Sequence, residues 1–225
     1  MTSFEISVLY ESKWVIVIEK PTGLLVEAHW KYLSVESWVK DHLSKQYKNP
    51  FVGIVHRIDR MVSGVVIVAK KRSALRHLNE QLRMGQIDKF YFALTSSKPH
   101  LMEGTLDTYI GRSKDGKKAV RLDSGNKMAK RAKLKFRVAK RNNIFQWDIK
   151  LITGRYHQIR LQLAEEGCPI IGDVLYGSSA EEALVGIGLH CYQMVFVDPG
   201  LLKRITIKSR EEFNPIWDRY LEIME

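Results

Sequence analysis

Apolar residues are distributed along this chain in two ways, continuous runs and periodic stripes, and each predicts a different element. Trp14 to Ile18 (Trp-Val-Ile-Val-Ile) is continuously apolar and reads as a buried strand, which Lys20-Pro21-Thr22-Gly23 ends with turn chemistry. Val65 to Ala69 is a second continuous run, hence a strand covered on both faces. Ser34 is placed to cap a helix whose Val35, Trp38, Val39 and Leu43 fall on one side. Ser73 opens another helix, with Leu75, Leu78 and Leu82 inward and an end near Gly85. Phe90, Phe92 and Leu94 alternate with Tyr91 and Ala93, the pattern of a half-buried strand. Phe145 to Ile152 and Leu189 to Val197 read as further strands. Thr153-Gly154 leads into a helix from about Tyr156 to Glu166 that stops at Gly167, and Asn214 with Pro215 is set to start a last helix. Strands and helices mix without strict alternation. This order predicts an α+β fold, a mostly antiparallel sheet with flanking helices, rather than a doubly wound parallel one.

Composition narrows the class. The chain has 225 residues, 45% hydrophobic and 27% charged, as in a soluble globular protein of one domain or two tightly joined lobes. No apolar run approaches the roughly 20 residues of a membrane span. Met1 to Tyr10 lacks the basic-then-apolar layout of a secretory signal, so the cytoplasm is the expected compartment. Cys168 and Cys191 have the spacing of neither a zinc site nor a redox pair and read as small core residues. The net charge of +11 favours a polyanionic partner, although lysines that merely solubilise the fold would give the same count. The most basic stretch, Gly111 to Lys133, reads as an exposed loop or hairpin, either simply solvated or a phosphate-binding arm.

Three segments set polar residues into apolar surroundings. In Gly53-Ile54-Val55-His56-Arg57-Ile58-Asp59-Arg60-Met61-Val62-Ser63-Gly64, an acid stands between two arginines at the edge of a core strand. Those charges are expected to hold Asp59 ionised, unless it only forms a salt bridge that orders the turn. In Asp88-Lys89-Phe90-Tyr91-Phe92-Ala93-Leu94, Tyr91 lies opposite Phe90 and Phe92. It is either one more core aromatic or a stacking platform and proton-transfer group facing a cleft. Leu151-Ile152-Thr153-Gly154-Arg155-Tyr156-His157-Gln158-Ile159-Arg160-Leu161 is a dense polar cluster at a helix start, and Gly172-Asp173-Val174-Leu175-Tyr176-Gly177 follows it.

Together these segments resemble the ribosomal and transfer RNA pseudouridine synthases with the RluA-type signature. The resemblance runs from about Val8 to Pro199 and includes Lys20-Pro21-Thr22-Gly23-Leu24 and Leu189-His190-Cys191-Tyr192. It implies a single catalytic domain over 1–225 with a central catalytic cleft and no separate amino-terminal RNA-binding module. The implied reaction breaks the N1–C1′ bond of a flipped-out uridine, turns the uracil and joins C5 to C1′. Asp59 would attack C1′ or remove the proton at C2′, and the sequence leaves both paths open. Arg160 would be the basic partner of Asp59, their side chains meeting within about 6 Å. Tyr91 would pack on the uracil and help remove the C5 proton. Arg57 would fill the gap left in the RNA stack, with Arg60 beside it on the RNA. Arg155 and His157 would bind phosphate or serve structure, and Lys117, Lys118, Lys130 and Arg131 would reach phosphates from the basic segment. No metal, nucleotide or redox cofactor is implied. The expected partner is structured RNA, ribosomal or transfer, bound by a monomer.

Two departures from the signature occur. Ile58 stands in place of leucine, and Met61-Val62 occupies positions where an acid or base and then threonine are common, which removes a hydroxyl beside Asp59. That change is the one argument for a catalytically impaired RNA-binding paralogue. A serine hydrolase is the other competing reading, since His56, Asp59 and Ser63 supply the residue types of a triad. Triads are assembled from distant segments, however, and no Gly-x-Ser-x-Gly surrounds Ser63.

Overall fold

The computed structural model describes residues 4–179 and 186–209. In chain order it contains β1 (Ser7–Glu11), β2 (Val15–Lys20), α1 (Val35–Ser44), β3 (Gly53–Ile54), β4 (Ser63–Ala69), α2 (Arg72–Arg83) and β5 (Asp88–Thr95). There follow β6 (Glu103–Arg112), β7 (Ala119–Arg121), β8 (Lys130–Arg141), β9 (Ile144–Leu151), α3 (Gln158–Glu165), a 3-10 turn (Val174–Tyr176), β10 (Leu189–Val197) and β11 (Arg204–Lys208). The helix expected from Asn214 and Pro215 lies outside the described residues. Among the described residues, no helix is long and apolar enough to cross a membrane. The chain divides into two compact units, one built from residues up to Asp88 and from Cys191 onward, the other from Lys89 to His190.

The first unit is centred on two strands with no polar face. β2 and β4 pair antiparallel from Val15↔Ala69 to Lys20↔Gly64, and every residue of both is buried. β1 lies outside β2, β10 lies outside β4, and β11 pairs antiparallel with β10. Continuous burial explains the unbroken Val/Ile runs, because a strand covered on both sides has no solvent face to place polar residues on. Ser34 caps α1 as expected, through a capping box in which Ser34 and Ser37 each accept the other's backbone N–H at 3.0 Å. Val35, Val39 and Leu43 form its buried stripe. α2 starts one residue before Ser73, with Lys71 in the cap position. Its fully buried residues are Ala74, Leu78 and Gln81, while Leu75 and Leu82 flank that stripe half-buried. Gln81 is inward because its amide serves an edge: Nε2 donates to the Val197 carbonyl at 2.8 Å and Oε1 accepts the Val197 N–H at 2.9 Å.

The second unit is an antiparallel sheet ordered β5-β9-β8-β6-β7. Trp147, fully buried on β9, donates to Thr95 Oγ1 at 3.0 Å and packs its ring 4.8 Å from Phe136. Burying a side chain of that size contributes on the order of 2–3 kcal/mol. On β5, Tyr91, Ala93 and Thr95 are buried on one face and Leu94 on the other, with Phe90 and Phe92 only half-buried. The basic stretch is a hairpin built on strand, since β7 pairs with β6 from Ile110↔Arg121 to Arg112↔Ala119. α3 begins at Gln158, two residues later than the sequence pattern places it, because His157 ahead of it adopts a left-handed conformation (φ 50°, ψ 26°). The strand pairs described above are antiparallel and helices pack on them, so the α+β assignment holds.

Candidate functional site

In the first unit, Asp59 sits on the turn that leads from β3 into β4. The Val62 N–H closes this turn on the Asp59 carbonyl at 3.0 Å. A second strap fastens it to the β2 exit: Gly23 N–H donates to the Arg60 carbonyl at 2.8 Å, and Arg60 Nε donates back to the Gly23 carbonyl at 2.9 Å. Between the two lies Lys20, fully buried at the end of β2. Its Nζ donates to the carbonyls of Pro21 (2.9 Å), Leu24 (2.8 Å) and Arg60 (3.2 Å). Burial pushes the Lys20 ammonium down to about 7, and the charge of Asp59 opposes that shift. The buried cation beside Asp59 in this unit is therefore Lys20. Of the two arginines that flank Asp59 in the chain, Arg57 is ion-paired with Glu27, and Arg60 lies over the Tyr32 ring at 5.4 Å from its centroid.

The turn also needs Gly64. At φ +118°, a Cβ there would stand 2.2 Å from the Cys191 carbonyl oxygen, so no side chain fits. Val62, which replaces the usual threonine, is buried, and Met61 is exposed. The turn thus keeps its backbone bond without the hydroxyl. The triad reading lacks an accessible nucleophile, because Ser63 is fully buried, and His56 Nε2 accepts the Ile67 N–H at 3.0 Å.

In the second unit, Arg160 is held from several sides. Its Nε and Nη2 donate to the two oxygens of Asp173 at 2.6 and 2.8 Å, with both residues buried. Nη1 meets His157 Nε2 at 2.9 Å, and the guanidinium lies 5.1 Å from the Tyr176 ring centroid. A guanidinium only donates, so His157 Nε2 accepts and the ring is the neutral tautomer protonated at Nδ1. That Nδ1 donates to the Tyr176 hydroxyl at 3.0 Å, which also accepts the Ala119 N–H at 2.7 Å. Burial raises the Tyr176 phenol to about 12. His157 thus spends both ring nitrogens inside the cage. A chain of buried amides fixes the loop before α3: Thr153 Oγ1 to Gln158, Gln158 to Gln162, and Gln162 to Thr108 and the Ala132 carbonyl, at 2.8 to 3.2 Å. Tyr91 is 5% exposed on β5.

On the basic hairpin, Lys114, Lys117, Lys118, Arg121 and Lys130 are all exposed. Arg131 is not a spare cation, because it forms a two-pronged pair with Asp107 at 2.8 and 2.7 Å. Hydrogen bonds from Arg131, with its charge and that of Lys133, hold the Asp107 carboxyl down to about 2. Arg155 is exposed, and its Nε donates to the Arg131 carbonyl at 3.0 Å.

The family model for RNA pseudouridylate synthase matches residues 14–165, a span that includes the Asp59 turn, β5 and Arg160. The chain belongs to this family. An uncharacterized RNA pseudouridine synthase of Mycoplasma pneumoniae is 32% identical over 209 residues, covering 92% of this chain and 67% of the relative. The ribosomal large subunit pseudouridine synthase C of Buchnera aphidicola is 35% identical over 218 residues, with 92% and 67% covered. Its counterpart in Rickettsia prowazekii is 33% identical over 172 residues, 76% of this chain and 56% of the relative. The chain thus spans about two thirds or less of the length of these relatives. Human RNA pseudouridylate synthase domain containing 4 superposes with a TM-score of 0.78 at 24% identity, covering 96% of this chain and 92% of that one, a likeness of fold.

Three residues of this pseudouridylate synthase chain stand out in the structure although the sequence patterns assign them no role: Lys20, Asp173 and Tyr176. Each had a visible signal, a polar residue set next to glycine or proline at the edge of an apolar run. His190 is a further buried polar group, and burial pushes its imidazole down to about 4. Its folded value lies below the unfolded one near 6.5, so stability is complete above that pH and drains away as pH falls toward 4. The unfolding free energy is expected to drop by up to about 3 kcal/mol across this window from His190 alone. Urea unfolding at a series of pH values will show this, and His190→Gln should remove that part of the slope.

Proposed function

We propose that this chain is an RNA pseudouridine synthase that isomerises uridines of ribosomal or transfer RNA, working without a cofactor as a cytoplasmic monomer. Asp59 is the reacting acid, acting on the ribose at C1′ or C2′ of a flipped uridine. Arg160 is its basic partner, and Tyr91 packs on the uracil and takes part in removing the C5 proton. Arg57 and Arg60 contact the RNA around the vacated position. The observation that carries this reading is the Asp59 turn. A carboxylate is held on a doubly strapped turn beside a fully buried lysine, within the segment that matches the family model. Such fixation suits a group that has to meet one atom of a flipped nucleotide, since misplacement by about 1 Å is costly.

The test is release of tritium from C5 of uridine-labelled ribosomal and transfer RNA by the purified protein. Release in proportion to pseudouridine formed is expected. Binding of these RNAs without any release would assign the chain to an impaired paralogue.

The hairpin supplies a separate expectation. Reversing Lys114, Lys117, Lys118, Arg121 and Lys130 to glutamate should weaken RNA binding at every sequence and raise the KM. It should also flatten the dependence of log affinity on log salt, by about 0.9 for each duplex phosphate that is no longer neutralised. Arg131 should add little to that slope, because Asp107 already holds its charge. An unchanged slope together with a collapsed kcat would place these residues in the chemistry or the fold instead.

A further inference from the structure

The loop of residues 27–33 has no part in the reading above. Glu27-Ala28-His29-Trp30-Lys31-Tyr32-Leu33 joins buried Leu24 and Val26 to the capped start of α1. Its base is closed by a bridge between Leu25 and Ser34 and by the Val35 N–H donating to the Leu25 carbonyl at 2.9 Å. All seven loop residues are exposed, and Trp30 is 89% exposed. Tryptophan is highly buried on average, so such a position calls for an explanation.

The rings are not scattered. His29 stacks on Trp30 at a centroid distance of 5.8 Å and 28°, and on Tyr32 at 5.0 Å and 26°. Cations frame them: Lys31 Nζ lies 5.6 Å and the Arg60 guanidinium 5.4 Å from the Tyr32 centroid. At the head of the loop, Glu27 pairs with Arg57. The loop is thereby joined to both arginines that flank Asp59 in the chain. Aromatic rings interleaved with cations form the standard platform for single-stranded nucleic acid, because every base has a π face and every linkage a phosphate. Flipping a nucleotide unstacks its neighbours and so produces such bases. A protein partner would be met by a wider apolar patch with fewer charges.

We propose that Trp30 and Tyr32 stack unpaired bases that flank the target uridine, while Lys31 and Arg60 take the adjoining phosphates. This site rests on the synthase reading, from which it inherits RNA as the ligand. Because the contact is stacking, it tolerates many sequences and selects RNA that is unpaired next to the target.

The experiment compares Trp30→Ala, Trp30→Phe and Tyr32→Ala with wild type on two probes, a single-stranded RNA of about a dozen nucleotides and a blunt duplex of the same length. Trp30→Ala and Tyr32→Ala should each bind the single strand roughly tenfold more weakly, with a smaller change for the duplex, and Trp30→Phe should recover most of the loss. The same variants should raise the KM in tritium release. Wild-type tryptophan fluorescence should be quenched by the single strand, and Trp30→Phe should lose that quench. All three variants should melt as wild type does, since the side chains are exposed. If wild type releases tritium while Trp30→Ala and Tyr32→Ala bind the single strand as it does, this inference fails and the synthase reading stands. If wild type releases none yet Trp30 still governs single-strand binding, the synthase reading fails and the site stands. If Trp30→Ala leaves RNA affinity unchanged but abolishes a dimer seen in sedimentation, the loop is a self-association surface and the inference is overturned.

Discussion

Asp59→Asn is expected to abolish isomerisation while RNA binding persists. The substitution removes a charge and a nucleophilic or basic oxygen but little volume, so the strapped turn has no steric reason to move. Its backbone fastenings include the Val62, Gly23 and Lys20 bonds to the carbonyls of residues 59 and 60 and the Arg60 bond to that of residue 23, which Asn at 59 would leave in place. Loss of one member of a group that acts as a unit registers on the order of 10³-fold or more in kcat. Tritium release and gel-shift affinity of the purified variant will separate turnover from binding. Turnover within about tenfold of wild type would exclude Asp59 as the reacting acid. A fall in affinity equal to the fall in kcat/KM would instead make Asp59 a binding residue. Lys20 sharpens the argument: with the carboxylate gone, the force that opposes the burial shift of the ammonium is lost, so Lys20 should titrate lower still.

Asp173→Ala should be the most destabilising single change among the site residues, at about 3–5 kcal/mol, because it takes a two-pronged carboxylate away from a buried guanidinium. Arg160 is 7% exposed and Asp173 1%, and both oxygens of the acid are used. Water cannot readily replace them. The cage is also cooperative: Arg160 sets the His157 tautomer, and His157 in turn orients the Tyr176 hydroxyl that caps the Ala119 N–H of β7. Denaturant unfolding followed by circular dichroism measures the loss. The double variant Arg160→Met with Asp173→Leu removes both charges together and should recover most of the stability, since a buried pair is worth little against a well-packed apolar one. Under the proposed function it should still lack isomerisation. A double variant that regains both stability and turnover would leave Arg160 a purely structural residue. An Asp173→Ala protein as stable as wild type would show that the pair is not what holds the loop after α3.

Much of the fold was legible because β2 and β4 are covered on both sides, and only continuous Val/Ile runs suit such strands. Ser34 could be read as a cap because a hydroxyl there satisfies a helix N–H by purely local geometry. β8 was harder. Ala132, Leu134 and Phe136 are buried at a period of two, but the intervening Lys133, Lys135 and Arg137 give the segment the composition of a loop. Charge density is a property of composition, whereas strand pairing is decided by which face finds a partner. β5 shows the same limit from the other side. Alternation separates Tyr91 from Phe90 and Phe92, yet only the packed sheet decides that Tyr91 is buried while Phe90 and Phe92 stay half-buried.

The chemistry divides in the same way. By itself the sequence determined the family, the reacting acid as a candidate, and the polar clusters that surround it, because these depend on residue type and short spacing. Partners did not follow from neighbours in the chain. Arg57 and Arg60 stand beside Asp59 in sequence, but their side chains reach Glu27 and Tyr32, while a buried lysine of the same unit, Lys20, comes to the acid's turn from β2. Arg160 likewise bonds both oxygens of Asp173 and turns its neighbour His157 into an acceptor. Only tertiary structure decides such pairings, since it alone determines which charges lose their water and must find one another inside the protein.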